Sequence, residues 1–370
     1  MIKLIDLNYH THSNISEPGK VMELQKASIG FVKFIKEKLT IQLIKHINCE
    51  GEEYVDGIKY NFFKSRNKFW HIPFKTHRYI KTQHPDIVLI QGLIFPIQLI
   101  ALKLKLGKNA KIMVQHHGEK PFTGIKKLFQ QIADRLINGY LFTSLENANE
   151  WVENKIISDN QKCYEVLEAS TYFQRKDKEL CKPELSFTGS QNFLWVGRLN
   201  VGKDPLTILK AFEKYISTHH DAKLFMIYQT DELLPGIKKI IEQDEGLKNS
   251  VVLQGIVSYI ELETWYSAAD FYISGSHKEG SGYALIEAMA CGCIPVVTNI
   301  PSFKKIINNG AYGFLFERGN EESLLNTLLK LDNIDRGKLS ISIVEHFNNS
   351  LSFESISDTL YRVCEKLISK

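Results

Sequence analysis

The sequence predicts an α/β protein built from two doubly wound, Rossmann-like domains and a terminal helix. Three observations carry that expectation. Short, nearly continuous apolar runs alternate with longer stretches of helical periodicity, as parallel strands covered on both faces require. The alternation comes in two series separated by a polar stretch. At 370 residues the chain exceeds what one ordinary core fills.

The first series of runs is "KLIDLN", "IQLIKHI", "DIVLIQG", "KIMVQHH", "GYLFTS" and "CYEVLEA". Within it, "CEGEEYVDGIKYNFF" sets Asp56-Gly57 between β-prone arms, which predicts a hairpin. Residues 86–106, "DIVLIQGLIFPIQLIALKLKL", come nearest to a membrane span. Gly92, Pro96, Lys103 and Lys105 instead divide them into a strand and a helix with proline in its first turn. The polar stretch 174–191, with Pro183 and Gly189, marks the domain boundary. The second series follows as "FLWVGR", "AKLFMIYQ", "SVVLQG", "DFYISGS" and "IPVVTN". From "SFESISDTL" onward the chain reads as one amphipathic helix. The expected boundaries are 1–180, 181–350 and 351–370.

Hydrophobic content of 44% and charged content of 24% are those of a globular protein in water. The six cysteines form no CxxC pair, and no histidine cluster flanks the single CxC. That pattern argues against a zinc site or a disulfide framework and for reduced thiols in the cytoplasm. "MIKLIDLNYH" lacks the long apolar stretch of a signal peptide. The net charge of +4 is unevenly spread: Gly57 to Ala133 holds fourteen Lys and Arg against Asp86 and Glu119, a local balance of +12. Lys59, Lys64, Arg66, Lys68, Lys75, Arg78 and Lys81 interleave there with Phe62, Phe63, Trp70 and Phe74. Basic residues among aromatics suit an anionic membrane surface. No nucleic-acid-binding motif accompanies them.

"HKEGSGYALIEAMACGCIPVV", residues 277–297, is the most informative stretch. It runs from the end of a strand through a Gly-Ser-Gly turn into an Ala-rich helix and a further strand. Gly280 and Gly282 allow close backbone approach, and the first amides of a helix have no internal partners, so an anion is favoured there. A carboxylate beside a bound phosphate is repelled by it, so Glu279 and Glu287 suit sugar hydroxyls instead. Taken alone, two glutamates at this spacing are also compatible with surface charge. A second stretch, "FLWVGRLNVGKDPLTILKAF", places Arg198 and Lys203 in a strand-to-helix loop. Two fixed cations there suit a diphosphate that gains charge as it leaves. Both loops fall at the carboxyl ends of strands, where a doubly wound sheet binds its ligand.

These residues resemble the retaining glycosyltransferases of the GT-B fold, in particular the large family four of sugar-nucleotide users. The resemblance covers most of residues 192–335 and rests on "VGRLNVGKDPLTILKAF", "EGSGYALIEAMACGCIPVV" and "GAYGFLFERGN". It implies two Rossmann-like domains facing across a cleft, with a C-terminal helix able to cross back to the first. By that resemblance Arg198 and Lys203 would hold the donor diphosphate, and Glu279 would contact the donor sugar. Gly280, Ser281, Gly282 and Tyr283 would offer backbone amides. Glu287 would take the ribose hydroxyls, and the backbone at Ile256 and Val257 would meet the base. No cofactor and no metal ion are implied.

In the first half, "KIMVQHHGEKPF" resembles the family strand that ends in a histidine near the transferred sugar. His117 aligns with it, and His116 is the alternative. The family's Gly-Gly loop after the first strand is replaced by "NYHTHSNISEPGKV", in which Gly19 offers the comparable turn on the acceptor side. "LFMIYQTDELLP" also lacks the glycine pair usual after its strand.

The resemblance implies transfer of a sugar from a nucleotide-diphosphate sugar, a UDP-sugar by the commonest usage, to a glycan or lipid-linked acceptor. Cell-surface polysaccharide or glycoconjugate synthesis is the expected setting, in the cytoplasm and peripherally on the inner face of the membrane. A sugar-nucleotide epimerase of the same architecture and a non-catalytic nucleotide-sugar-binding homologue are the alternatives.

Overall fold

In the computed structural model, which describes residues 1–65, 68–185 and 187–369, each of the apolar runs forms a strand. Arg66 of the basic stretch lies outside the described residues. The chain divides into two compact units, Met1–Ser170 with Phe353–Lys370, and Thr171–Ser352.

The first unit holds β1 (Lys3–His12), β2 (Thr40–Ile47), β3 (Gly51–Val55), β4 (Ile58–Phe63), β5 (Ile87–Gln91), β6 (Lys111–Gln115), β7 (Gly139–Phe142) and β8 (Cys163–Glu165). Their order in the sheet is β3-β4-β2-β1-β5-β6-β7-β8. All neighbours are parallel except β3 and β4, the anticipated hairpin. Its turn puts Asp56 and Gly57 at φ of 53° and 76°, a pair of left-handed positions that matches the twist of the arms. The chain leaves β1 toward β2 on one side and toward β5 on the other, so the direction of winding reverses between β1 and β5.

Residues 87–106 form β5 and the helix Pro96–Leu106 with proline at its start. No helix among the described residues is long and apolar enough to cross a membrane. The final helix, Phe353–Ile368, buries Phe353, Ile356, Leu360, Val363 and Leu367 in the core of the first unit with Val32, Ile35 and Leu39. Gly30 lies flat against the Phe353 ring, where a side chain would collide. Ser357 donates to the carbonyl of Phe31 at 2.7 Å.

The second unit holds β9 (Asn192–Gly197), β10 (Lys223–Tyr228), β11 (Val251–Gly255), β12 (Phe271–Ser274), β13 (Ile294–Thr298) and β14 (Phe314–Phe316). The sheet is parallel in the order β11-β10-β9-β12-β13-β14. Numbered within the unit this is 3-2-1-4-5-6, the arrangement whose crevice between strands 1 and 4 receives ligands. Phe193 and Phe271 stack at 5.0 Å across that pair of strands.

Candidate active site

The loops leaving β9 and β12 meet at the reversal point of the second sheet and line a cavity of about 430 Å³. Arg198, Lys203, Val257, Glu279, Gly282, Tyr283 and Glu287 all line it. Gly280 and Ser281 lie in the same turn; the Ser281 side chain is buried, and Ile256 is exposed.

Gly282 caps the helix Tyr283–Ala290 at φ 65° and supplies no side chain to its first amides. A Cβ at Gly282 would stand 3.0 Å from Ile306 and 3.1 Å from Phe303. The position thus demands glycine both for conformation and for space. Gly282, Tyr283 and Ala284, where that helix begins, line the cavity, and a helix N-terminus is where an anion is favoured.

Lys203 and Glu279 form an ion pair across the two loops. The pair is framed by two residues that the motif reading passed over. Asp204 sits at φ 44° and caps the helix Pro205–Ile216 by accepting from the Thr207 amide. Its other oxygen lies 2.9 Å from His277 Nε2, and the His277 amide donates to Gly202 at 2.9 Å. Asp204 and His277 therefore hold together the loops that carry the cations and the carboxylate. An aspartate directly before proline at a helix start was the available signal; its partner had none.

Glu287 is buried and accepts from the Tyr266 hydroxyl at 3.1 Å. Burial raises its pKa to about 7, while hydrogen bonds from Tyr266 and Tyr259 pull the other way. A carboxyl poised there exchanges its proton readily when hydroxyl donors arrive.

His117, in the first unit, occupies the end of β6. Its Nδ1 pairs with Glu168, its Nε2 lies 2.8 Å from Gln91 Oε1, and its amide donates to Glu119 at 2.6 Å. Gln91 spends its own amide nitrogen on Asp6 at 2.6 Å, which fixes the oxygen toward the histidine. Both ring nitrogens thus face oxygens. Burial lowers the pKa of His117, but Glu168, Glu119 and Asp6 together raise it above the ordinary value. The geometry favours the imidazolium. His116, by contrast, is buried against Phe142 and Trp151, with Nε2 3.1 Å from the Glu119 carbonyl. Gly19 lies within the helix Pro18–Leu24, not in a turn, and a Cβ there would meet nothing within 4 Å. Nothing in that geometry requires glycine at the position.

The model of the family "glycosyl transferases group 1" matches residues 177–338, the segment that carries this cavity. That segment is a group 1 glycosyltransferase domain. Over 138 residues the chain is 34% identical to the poly(glycerol-phosphate) alpha-glucosyltransferase of Bacillus subtilis, covering 37% of this chain and 20% of that protein. Over 173 residues it is 29% identical to the UDP-Gal:alpha-D-GlcNAc-diphosphoundecaprenol alpha-1,3-galactosyltransferase of Escherichia coli, covering 45% of this chain and 44% of that one. The matches thus span less than half the length of these curated relatives. A glycosyltransferase from Rickettsia africae shares the fold over 100% of this chain and 99% of its own, with a TM-score of 0.74 and 18% identity. The two Rossmann-like units of this chain are those of the GT-B fold.

Proposed function

We propose that this protein transfers a glycosyl residue from a UDP-sugar to a hydroxyl of a glycan or lipid-linked acceptor, retaining the anomeric configuration and needing no metal ion. The observation that carries the reading is the convergence of Arg198, Lys203, Glu279 and Glu287 on one cavity at the sheet's reversal point. In this reading the bond between the anomeric carbon and the diphosphate breaks, and a bond from that carbon to the acceptor oxygen forms. The acceptor proton leaves with the diphosphate or to water. Arg198, Lys203 and the amides after Gly282 take up the charge that develops on the leaving group, the role a divalent ion fills elsewhere. Glu287 receives the ribose hydroxyls, and Glu279 receives the sugar.

A UDP donor accords with the donor in the name of the Escherichia coli relative. The acceptor is met, in this reading, at the cytoplasmic face of an anionic membrane. The basic stretch contributes less to this than its composition suggests, because Lys59 pairs with Glu52 at 2.7 Å and Lys75 with Glu50 at 2.5 Å. Phe62 and Phe63 are core residues. The stronger support comes from the helix Gly124–Asp134, whose Ile125, Leu128 and Ile132 are 67%, 52% and 39% exposed on one face, beside Lys126 and Lys127. An apolar face edged by lysines suits the boundary between headgroups and acyl chains.

Release of the corresponding nucleoside diphosphate from a panel of UDP-, GDP- and ADP-sugars, with a polyprenyl-diphosphate glycan as acceptor, tests the reading. Turnover of a UDP-sugar in the presence of EDTA, giving a product with unchanged anomeric configuration by NMR, is the expected result. Turnover that the chelator abolishes and Mn²⁺ restores removes the metal-free mechanism. No turnover and no nucleotide binding removes the function.

A further inference from the structure

A row of polar side chains crosses one face of the first sheet inside an otherwise apolar core. Leu43 of β2 pairs in register with Asp6 of β1, Asp6 with Leu89 of β5, and Gln91 with Gln115 of β6. Side chains two positions apart on a strand share a face. Lys45, Asp6 and Gln91 therefore project on the side that Leu4, Leu43, Leu89 and Met113 fill. His117 stands two residues past Gln115, at the end of the row.

Lys45 and Asp6 form an ion pair, Nζ 3.5 Å from Oδ1, with side chains 4% and 1% exposed. Desolvating two charges often costs more than their attraction returns, and apolar replacement of such a pair is often neutral. Stability is thus a poor reason for this pair. Its neighbours give a better one. The other Asp6 oxygen accepts from Gln91 Nε2 at 2.6 Å, and Gln91 Oε1 faces His117 Nε2 at 2.8 Å.

A glutamine amide has a donor at one end and an acceptor at the other, while an ionised carboxylate only accepts. Asp6 must therefore take the NH₂ end of Gln91, which leaves the oxygen for the ring. Against that oxygen Nε2 needs its proton, and Nδ1 needs one against Glu168. A neutral Asp6 could instead donate to the amide oxygen. Gln91 would then turn round, and Nε2 would become an acceptor on a neutral ring. Burial favours the protonated form of a carboxyl, and a nearby ammonium opposes it. Lys45 is that ammonium.

Other charges near the row do not make this choice. Burial lowers the pKa of His117 while Glu168, Glu119 and Asp6 raise it, but Glu168 meets Nδ1 and Glu119 the backbone amide. Neither touches Nε2. Burial, His10 and Lys45 lower the pKa of His12, so His12 adds no charge beside Lys45.

We infer that Lys45, acting through Asp6 and Gln91, sets the orientation of the His117 ring and keeps a proton on each of its nitrogens. The three are positioning residues for a cation at the end of β6. That His117 meets a substrate rests on the glycosyltransferase reading; the state of its ring does not.

The test is ¹⁵N NMR of the intact protein labelled at histidine, which reports the ring nitrogens that carry protons, with His117→Gln to identify the signals. At about pH 6.5, the ordinary histidine midpoint, the native ring is expected to be mostly protonated at both nitrogens. Lys45→Met is expected to lower its titration midpoint and to leave a neutral ring with its proton on Nδ1. Lys45→Met/Asp6→Leu replaces the whole pair by apolar groups, a change buried pairs often tolerate, and should do the same where the single variant fails to fold. A folded variant with the native midpoint and proton positions overturns the inference, and so does a native ring that is neutral at that pH. Both variants should also lose turnover of a UDP-sugar while keeping UDP affinity; unchanged turnover overturns the positioning role. Absence of UDP binding and turnover in the native protein would instead remove the function proposed above, and the response of the ring to Lys45 would still decide this inference.

Discussion

Lys203 and Glu279, 76 positions apart in sequence, meet as an ion pair over the reversal point of the second sheet. In the proposed function, diphosphate therefore competes with Glu279 for the ammonium group. Removing Lys203 deletes a charge-assisted contact of about 1.5–3 kcal/mol, so Lys203→Ala should weaken UDP binding roughly ten- to a hundredfold. Glu279→Ala releases Lys203 and should leave UDP binding equal or tighter while transfer falls. Titration of both variants with UDP decides this, and equal losses would remove the separate roles.

The pKa of Glu287, raised to about 7 by burial, ties donor binding to pH. Ribose hydroxyls stabilise the carboxylate, so the bound form has the lower pKa and binding expels the proton. Affinity for UDP should rise as pH climbs from about 6 and level off above about 7. Titration in two buffers of different ionisation enthalpy should reveal proton release near pH 6.5 that Glu287→Gln abolishes. A pH-independent affinity in the native protein would contradict the assignment.

Gly282→Ala should be costly in two ways. A side chain at φ 65° is strained, and the new Cβ would press on Ile306 and Phe303 at 3.0 and 3.1 Å. Left-handed backbone at a residue with a Cβ costs about 1–2 kcal/mol. A lower Tm together with weaker UDP binding is the expected pair of readings. Native values for both would mean that the turn is not held as described.

Asp204 joins a helix cap to the His277 contact. Loss of such a cap costs about 0.5–2 kcal/mol, which for a unit of this size lowers Tm by a few degrees, about 2–4 °C per kcal/mol. Asp204→Ala should show that drop and a weaker UDP affinity. Asp204→Asn, which caps and tolerates the left-handed conformation, should recover most of the Tm. Identical Tm values for the native protein and Asp204→Ala would dismiss the clasp.

Membrane association should depend on the apolar face of the helix Gly124–Asp134. Ile125→Ser/Leu128→Ser should reduce co-sedimentation with vesicles containing anionic lipid, and raised salt should reduce it for the native protein as lysine attraction is screened. Salt-independent partitioning that the double variant leaves unchanged would return this face to ordinary surface.

The strand pattern of both units was legible because parallel strands buried on both faces must be apolar along their length. Phe314–Phe316 was not read as a strand; three residues are too few to show a period. The convergence of Arg198, Lys203 and Glu279 on one cavity was legible because they crowd into two short loops at strand ends. What stayed hidden depends on which strand ends adjoin. Glu168 follows β8 and reaches His117 after β6, and Gln91 reaches the same ring from β5. Tyr266 meets Glu287 from another helix. No local spacing encodes those meetings. The basic stretch misled in part because composition counts charges without their partners, and Glu50 and Glu52 of the hairpin neutralise two of its lysines.

The helix that closes the first core is made after the whole of the second unit. During synthesis, at about 5–20 residues per second, the hydrophobic socket around Val32, Ile35 and Leu39 stands open to water until Phe353, Ile356 and Leu360 emerge. The second unit is continuous in sequence, so its own core waits for no later segment. A chain stopped anywhere between Thr171 and Ser352 would leave an unfilled apolar seat for chaperones or proteases to find, so the amino-terminal half is complete only when residues beyond the second unit are present.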